Sequence, residues 1–222
     1  MSTAMTKRPL RFARALAIGA FLSLPLGSLS IAPLQAQTTE DADLAAVNRA
    51  IRSLSTLSGN FTQTDRNGQV QSGKILLKQP GKIRFDYGVG DLLIVADGRS
   101  LYMIDYQVNQ VQRWPIRNSP LGALLDPSRD LTRYGKLVPT GDTRVVSIEV
   151  RDPQHPEYGA ISLIFTRKPS APAGLELYGW IAKDAQGNRT SIRLTDLRYG
   201  APIADSAFRW RDPRPGALGP RH

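Results

Sequence analysis

The stretch from Gly68 to Gln112 constrains this chain more than any other, because it reads as strand after strand with only turns between. Ile83, Phe85 and Tyr87 alternate with Arg84 and Asp86, the period expected of a strand with one buried face. Ile75 and Leu77 alternate with Lys74 and Lys78, although Leu76 interrupts the polar side. Leu92–Ala96 is apolar throughout and Leu101–Ile104 nearly so. The separators are Arg66-Asn67-Gly68, Gln79-Pro80-Gly81 and Asp97-Gly98. Asn-Gly and Asp-Gly accept positive φ at little cost and favour tight hairpins. The pattern predicts an antiparallel meander with one apolar face, and leaves open whether that face holds packed core or a ligand.

The N-terminus places the chain. Lys7, Arg8, Arg11 and Arg14 precede an apolar run, Leu16–Leu26, and Leu34-Gln35-Ala36 offers a small residue for cleavage. Residues 1–36 therefore read as a secretory signal peptide, too short for a comfortable membrane span. No adjacent arginine pair suggests twin-arginine export. The mature chain then carries 25 basic against 19 acidic residues, a formal +6 in place of +10. This mild excess suits anionic surfaces or acidic partners, and no basic helix or basic-aromatic run points to nucleic acid. Cysteine is absent, which removes disulfides, thiol chemistry and a lipidated N-terminal Cys.

After the leader, Thr38–Leu57 has helical periodicity, with Leu44, Val47, Ile51 and Leu54 on one stripe. Thr38 with Asp41 resembles a capping box, and Gly59 suits a helix stop. Asn60–Asp65 reads as the first strand. Beyond the meander, Ser119 and Pro120 are expected to start a short apolar helix to Asp126, carrying Leu121, Leu124 and Leu125. A helix there could act as a lid or simply cap a barrel. Strand patterning resumes after Asp130, through Val146–Val150 and Ile161–Phe165. Leu175, Leu177 and Ile181 then share one parity, with Tyr178 and Trp180 on the other. Ile192 and Leu194 follow, and a last short strand surrounds Phe208-Arg209-Trp210. Residues 214–222 are expected to form a disordered tail behind a single domain, 37–213. Ten or eleven strands with two helices predict one long sheet curled into a barrel or half-barrel.

Catalytic patterns are scarce. The two histidines are His155, in a Pro-bracketed turn, and the terminal His222, so a metal site or Ser-His-Asp triad would rest on His155 alone. Gly88-Val89-Gly90 lacks the third glycine of a dinucleotide loop. The chain is expected to be no enzyme and to need no cofactor or metal. A large curled sheet with a helix across its mouth could instead enclose an acyl chain.

The order of motifs carries a resemblance. Phe61-Thr62-Gln63, Gly73–Tyr87, Ile94-Val95-Ala96-Asp97-Gly98, Leu101-Tyr102, Ser119-Pro120 and Phe208–Pro213 together resemble the periplasmic outer-membrane lipoprotein carrier family, LolA. The resemblance implies a mainly β fold, a half-open (incomplete) antiparallel β-barrel of about eleven strands with an α-helical lid. It implies a monomeric periplasmic chaperone whose cargo is acylated lipoproteins. These come from an inner-membrane lipoprotein-releasing ABC transporter and pass to an outer-membrane acceptor that the sequence does not identify. Ile83 and Phe85 match family cavity-wall positions. Parity adds Ile75, Leu77 and Tyr87, with Leu101 and Met103 beside them; the helices add Leu44, Val47 and Ile51, and a lid of Pro120, Leu121, Leu124 and Leu125. Where the family places an Arg before the strand Pro, thought to latch the lid, this chain has Gln79, a neutral donor. Lys82 or Arg84 is then the candidate substitute. A lipid- or lipoprotein-sensing adaptor on the same half-barrel is the alternative.

Overall fold

Alternation along the meander becomes one sheet in the computed structural model, which describes residues 34–88, 92–216 and 220–221. The expected signal peptide lies, up to residue 33, outside the described residues. Helix α1 spans Leu34–Ser53 and leads into β1 (Thr56–Thr64). The meander follows as β2 (Val70–Lys78), β3 (Lys82–Asp86), β4 (Leu92–Asp97), β5 (Ser100–Asp105) and β6 (Gln110–Pro115). Two one-turn helices, α2 (Gly122–Leu125) and α3 (Leu131–Tyr134), connect it to a second meander. That meander is β7 (Gly135–Leu137), β8 (Val145–Arg151), β9 (Ala160–Arg167), β10 (Leu175–Lys183) and β11 (Arg189–Tyr199). The order across the sheet is β6-β5-β4-β3-β2-β1-β11-β10-β9-β8-β7. Pairing of β1 with β11 joins the two meanders, and β6 and β7 remain as separate edges. The sheet is therefore eleven-stranded, antiparallel and not closed.

Register explains which residues face the helices. Ile75 opposes Phe85, which opposes Ile94, which opposes Met103; Leu77, Ile83, Ala96 and Leu101 form the next row. Directly opposed residues share a face. Most of both rows belongs to one core with Val47 and Ile51 of α1, Leu124 and Leu125 of α2, and Leu163, Phe165, Leu177 and Leu194 of the second meander.

The opposite face is also covered. Leu93, Val95 and Ile104 form a second cluster with Phe208 and Trp210, and Leu76, Tyr102 and Val111 pack against it. Tyr102 lies 5.0 Å from Trp210, ring centre to ring centre. Arg84 donates to the Ala207 and Arg209 carbonyls at 3.5 and 3.4 Å, and Lys78 and Lys82 hold Asp205 at 2.7 and 3.0 Å. The C-terminal segment is thus strapped across the outside of β2–β5. This is why Leu76 breaks the polar side of β2, and why β4 and β5 are apolar on both faces.

Several expectations are corrected. The first helix ends at Ser53, four residues before Leu57, and starts at Leu34, so Thr38 lies within it and is not its cap. Leu34, Gln35 and Ala36 are good helix formers and extend it upstream. Gly59 lies inside β1, at a register shift between Ser58 and Asn60, where a Cβ would stand 2.7 Å from Leu197 Cδ2. After Asp130 the chain forms α3 before any strand, because the Asp130 carboxylate accepts from Thr132 N at 3.0 Å and caps it. In β10 a bulge between Leu177 and Gly179 resets the alternation, so Trp180 enters the core. Phe208 ends a 3-10 turn, Asp205–Phe208. Strand β12 (Trp210–Arg211) does not join the main sheet; it pairs with β13 (Pro220–Arg221), inside the tail expected to be disordered. The remainder of that tail, 217–219 and 222, lies outside the described residues.

Candidate functional site

The apolar concave face and the helices that close it form the candidate site. Ile75, Leu77, Ile83 and Phe85 project from β2 and β3 and are buried. Phe61 of β1 meets Phe85 edge-on at 5.2 Å and Tyr87 at 4.9 Å; Phe85 meets Trp180 at 5.9 Å. Tyr87 donates its hydroxyl to Gln63 Oε1 at 2.6 Å, and burial raises its pKa. Tyr199 closes the far side, where burial pushes its pKa up to about 12. From the helices, Val47 and Ile51 of α1 are buried, as are Leu124 and Leu125 of α2; Leu44 and Leu121 are partly buried against the same core. Leu101 also packs there at partial exposure, and Pro120 precedes α2 half-buried. Met103 is half-buried and belongs to neither cluster, although its register places it on the concave side. The predicted positions therefore meet on one face, and the helix side chains fill it.

Few polar bonds hold α2 in place. Ser119 Oγ accepts from Leu121 N at 3.2 Å and starts the turn. The turn after β2 then supplies two donors to the C-terminal carbonyls of α2: Gln79 Nε2 to Leu124 O at 3.0 Å, and Gly81 N to Leu125 O at 2.9 Å. These carbonyls are among those a helix end leaves without internal partners. Gln79 also donates its backbone N–H to Ser55 O at 2.9 Å, so one residue touches both the link between α1 and β1 and the end of α2. The Gln79–Pro80 peptide is cis. Gly81 has φ 76°, and a Cβ there would stand 2.7 Å from Gly98 Cα, so only glycine lets the two turns approach this closely.

The candidate latch partners separate by face. Gln79 reaches α2. Arg84 points to the other side of the sheet, where it pairs with Asp86 at 2.9 Å and binds the C-terminal strap. Lys82 pairs with Asp205 on that same strap. Neither base substitutes at the helix, because strand alternation turns Arg84 away from it. Helix α1 is tied by Asp43 to Arg167, and Asn48 accepts from Leu131 N at 3.4 Å. His155 lies away from all of this, exposed and stacked on Tyr158 at 4.6 Å. The Gly81 donor is not legible as a residue pattern, because every residue but proline carries a backbone N–H and only the fold brings this one to Leu125 O.

An open, curled antiparallel sheet with helices across an apolar concave face defines a half-barrel with a helical cover. The family model described as "Outer membrane lipoprotein carrier protein LolA" matches residues 52–211. The outer-membrane lipoprotein carrier protein of Xanthomonas campestris pv. campestris (strain B100) is 31% identical over 179 residues, covering 72% of this chain and 79% of that protein. The protein of the same name from Chromohalobacter salexigens is 28% identical over 212 residues, 91% of this chain and 94% of that protein. Among solved structures, a LolA superfamily protein from Nitrosomonas europaea is similar with a TM-score of 0.41 at 12% identity, over 76% of this chain and 96% of that chain. The chain belongs to the LolA family.

Proposed function

We propose that this protein is a periplasmic, non-enzymatic carrier of acylated lipoproteins. In this reading residues 1–36 are a cleavable signal peptide and the domain that follows works as a monomer. It receives cargo from an inner-membrane lipoprotein-releasing ABC transporter and delivers it to an acceptor at the outer membrane. The observation that carries the reading is the concave apolar face, covered by α2, whose C-terminal end is held by two hydrogen bonds from Gln79 and Gly81. Lifting α1 and α2 would uncover Ile75, Leu77, Ile83 and Phe85 as a wall for acyl chains. Each CH₂ moved out of water is worth roughly 0.8 kcal/mol, so one C16 chain gains on the order of 12 kcal/mol. Family membership supports the same reading.

The test is release of a radiolabelled triacylated lipoprotein from spheroplasts by the purified mature protein. A soluble one-to-one complex is expected. A folded protein that releases none would refute carriage and favour a sensing role.

A further inference from the structure

Beside α2, on the rim of the half-barrel, a pocket of about 630 Å³ opens between the β4–β5 turn, the end of β6 and the start of α2. Four arginines line it: Arg99, Arg113, Arg117 and Arg129, against one carboxylate, Asp126. They come from four places in the chain, and only the fold brings them together. Arg113 is aimed by a bond from its Nε to Ser100 Oγ at 2.9 Å. Arg129 is anchored by Asp152 at a long 3.7 Å. The Asp126 carboxylate is engaged by Ser128, whose N and Oγ both donate to it. The side chains of Arg99 and Arg117 are exposed and have no hydrogen bond or ion pair among the described residues. Four guanidiniums facing one pocket repel one another. Arg113 and Arg129 have local partners, lying also over the Tyr102 and Tyr134 rings at 5.8 and 5.6 Å, whereas no internal bond accounts for Arg99 and Arg117. On the same edge strand Trp114 is 41% exposed, an amphipathic ring of the kind that sits at a membrane–water boundary.

From this arrangement we propose that the pocket is a binding site for a phosphate ester, presented by the headgroup of an anionic phospholipid. Guanidiniums offer paired donors that match phosphate oxygens, which a scatter of lysines would not. The headgroup would then lie at the rim next to α2, with the bilayer surface along the exposed edge of β6, whose two faces carry Arg113 and Trp114. The site brings this covering helix to a membrane surface and is independent of what the concave face carries.

The test is binding of the mature protein to vesicles of phosphatidylcholine alone and of phosphatidylcholine mixed with phosphatidylglycerol, with free glycerol phosphate as a third arm. The variant Arg99→Gln/Arg117→Gln removes two charges that make no internal bond, so the fold should persist. The control Arg189→Gln/Arg198→Gln removes the same net charge from exposed positions on β11. A basic residue near an anionic surface is worth about fivefold in binding, so the pocket variant should bind phosphatidylglycerol vesicles about thirtyfold more weakly. The control should lose far less. Binding of free glycerol phosphate as tight as that of vesicles, lost in the pocket variant, would keep the phosphate site and overturn the membrane as its source. Equal losses in both variants, or none in the pocket variant, would overturn the site itself. So would binding of an oligoglutamate peptide where neither phosphate source binds, which would assign the pocket to an acidic protein partner.

Discussion

Replacing Gln79 by Met removes one donor from α2 with little change in side-chain length. The bond lost, Nε2 to Leu124 O at 3.0 Å, is neutral and part-buried. Such a bond contributes about 1 kcal/mol net, and opening of α2 breaks it, so the ratio of open to closed should rise about fivefold. Gly81 N–H is the reporter, because its acceptor is the Leu125 carbonyl across the gap and it is released only when α2 leaves. Hydrogen exchange at Gly81 should therefore quicken about fivefold in Gln79→Met, with amides in β1 unchanged. Gln79→Arg should act in the opposite sense, since a charged donor strengthens the bond to about 1.5–3 kcal/mol. Exchange at Gly81 should slow, and cargo uptake with it. If Gly81 and β1 amides shift together in Gln79→Met, the side chain supports the whole domain and not α2. An unchanged Gly81 would show that Gln79 holds nothing that opening must break.

Three further outcomes test the packing. Leu124→Ala deletes a fully buried anchor of α2 and should cost about 2–5 kcal/mol in urea unfolding while speeding lipid uptake; slower uptake would contradict a covering role. Trp210→Ala strips the strap from the outer face and should cost about 3–5 kcal/mol by thermal denaturation with cargo binding intact; lost binding would mean that the strap shapes the cargo site. Asp205 has its pKa lowered from 3.8 to about 2 by its hydrogen bonds to Lys78 and Lys82. A depressed carboxylate stabilises the fold above 3.8 and loses that contribution as pH falls toward 2. Trp210 fluorescence should report the strap loosening across that interval, and Asp205→Asn should flatten the response.

The inner face was legible because its alternation is clean. Ile83 and Phe85 between Lys82, Arg84 and Asp86 leave one choice of buried side, and the structure buries both. The same rule failed to reveal the strap: Leu76, Leu93 and Val95 signalled a second covered face, but nothing local says which later segment covers it. Simple alternation puts Trp180 on the wrong face, because a bulge shifts it by one and the bulge is set by pairing with the neighbouring strand. Helix α3 leaves no periodic signal, because one turn is too short to show one, although Asp130 before Leu131 is a cap pattern. The four rim arginines were each visible in the sequence, yet their convergence depends on the order of β5, β6 and α2 in space.

A filled concave face is compatible with carriage, on the proposed reading, only if emptying it costs about what a cargo chain returns. Val47, Ile51, Leu124 and Leu125 are the large buried side chains of α1 and α2 that an acyl chain would displace. Burial of each is worth about 1.5–3 kcal/mol, so the four together hold the closed form by about 6–12 kcal/mol. One C16 chain supplies on the order of 12 kcal/mol in their place. The exchange is close to balanced. A much greasier cover would exclude cargo, and an empty chamber would bind it too tightly to hand on. The neutral Gln79 fits this balance, since a second strong tie on α2 would tip it toward the closed form. Cargo affinity should therefore change in opposite directions in Leu124→Ala and Gln79→Arg, rising in the first and falling in the second. Equilibrium binding of one acylated peptide to both variants measures this. Parallel shifts in the two would show that cargo does not compete with the helices for the concave face.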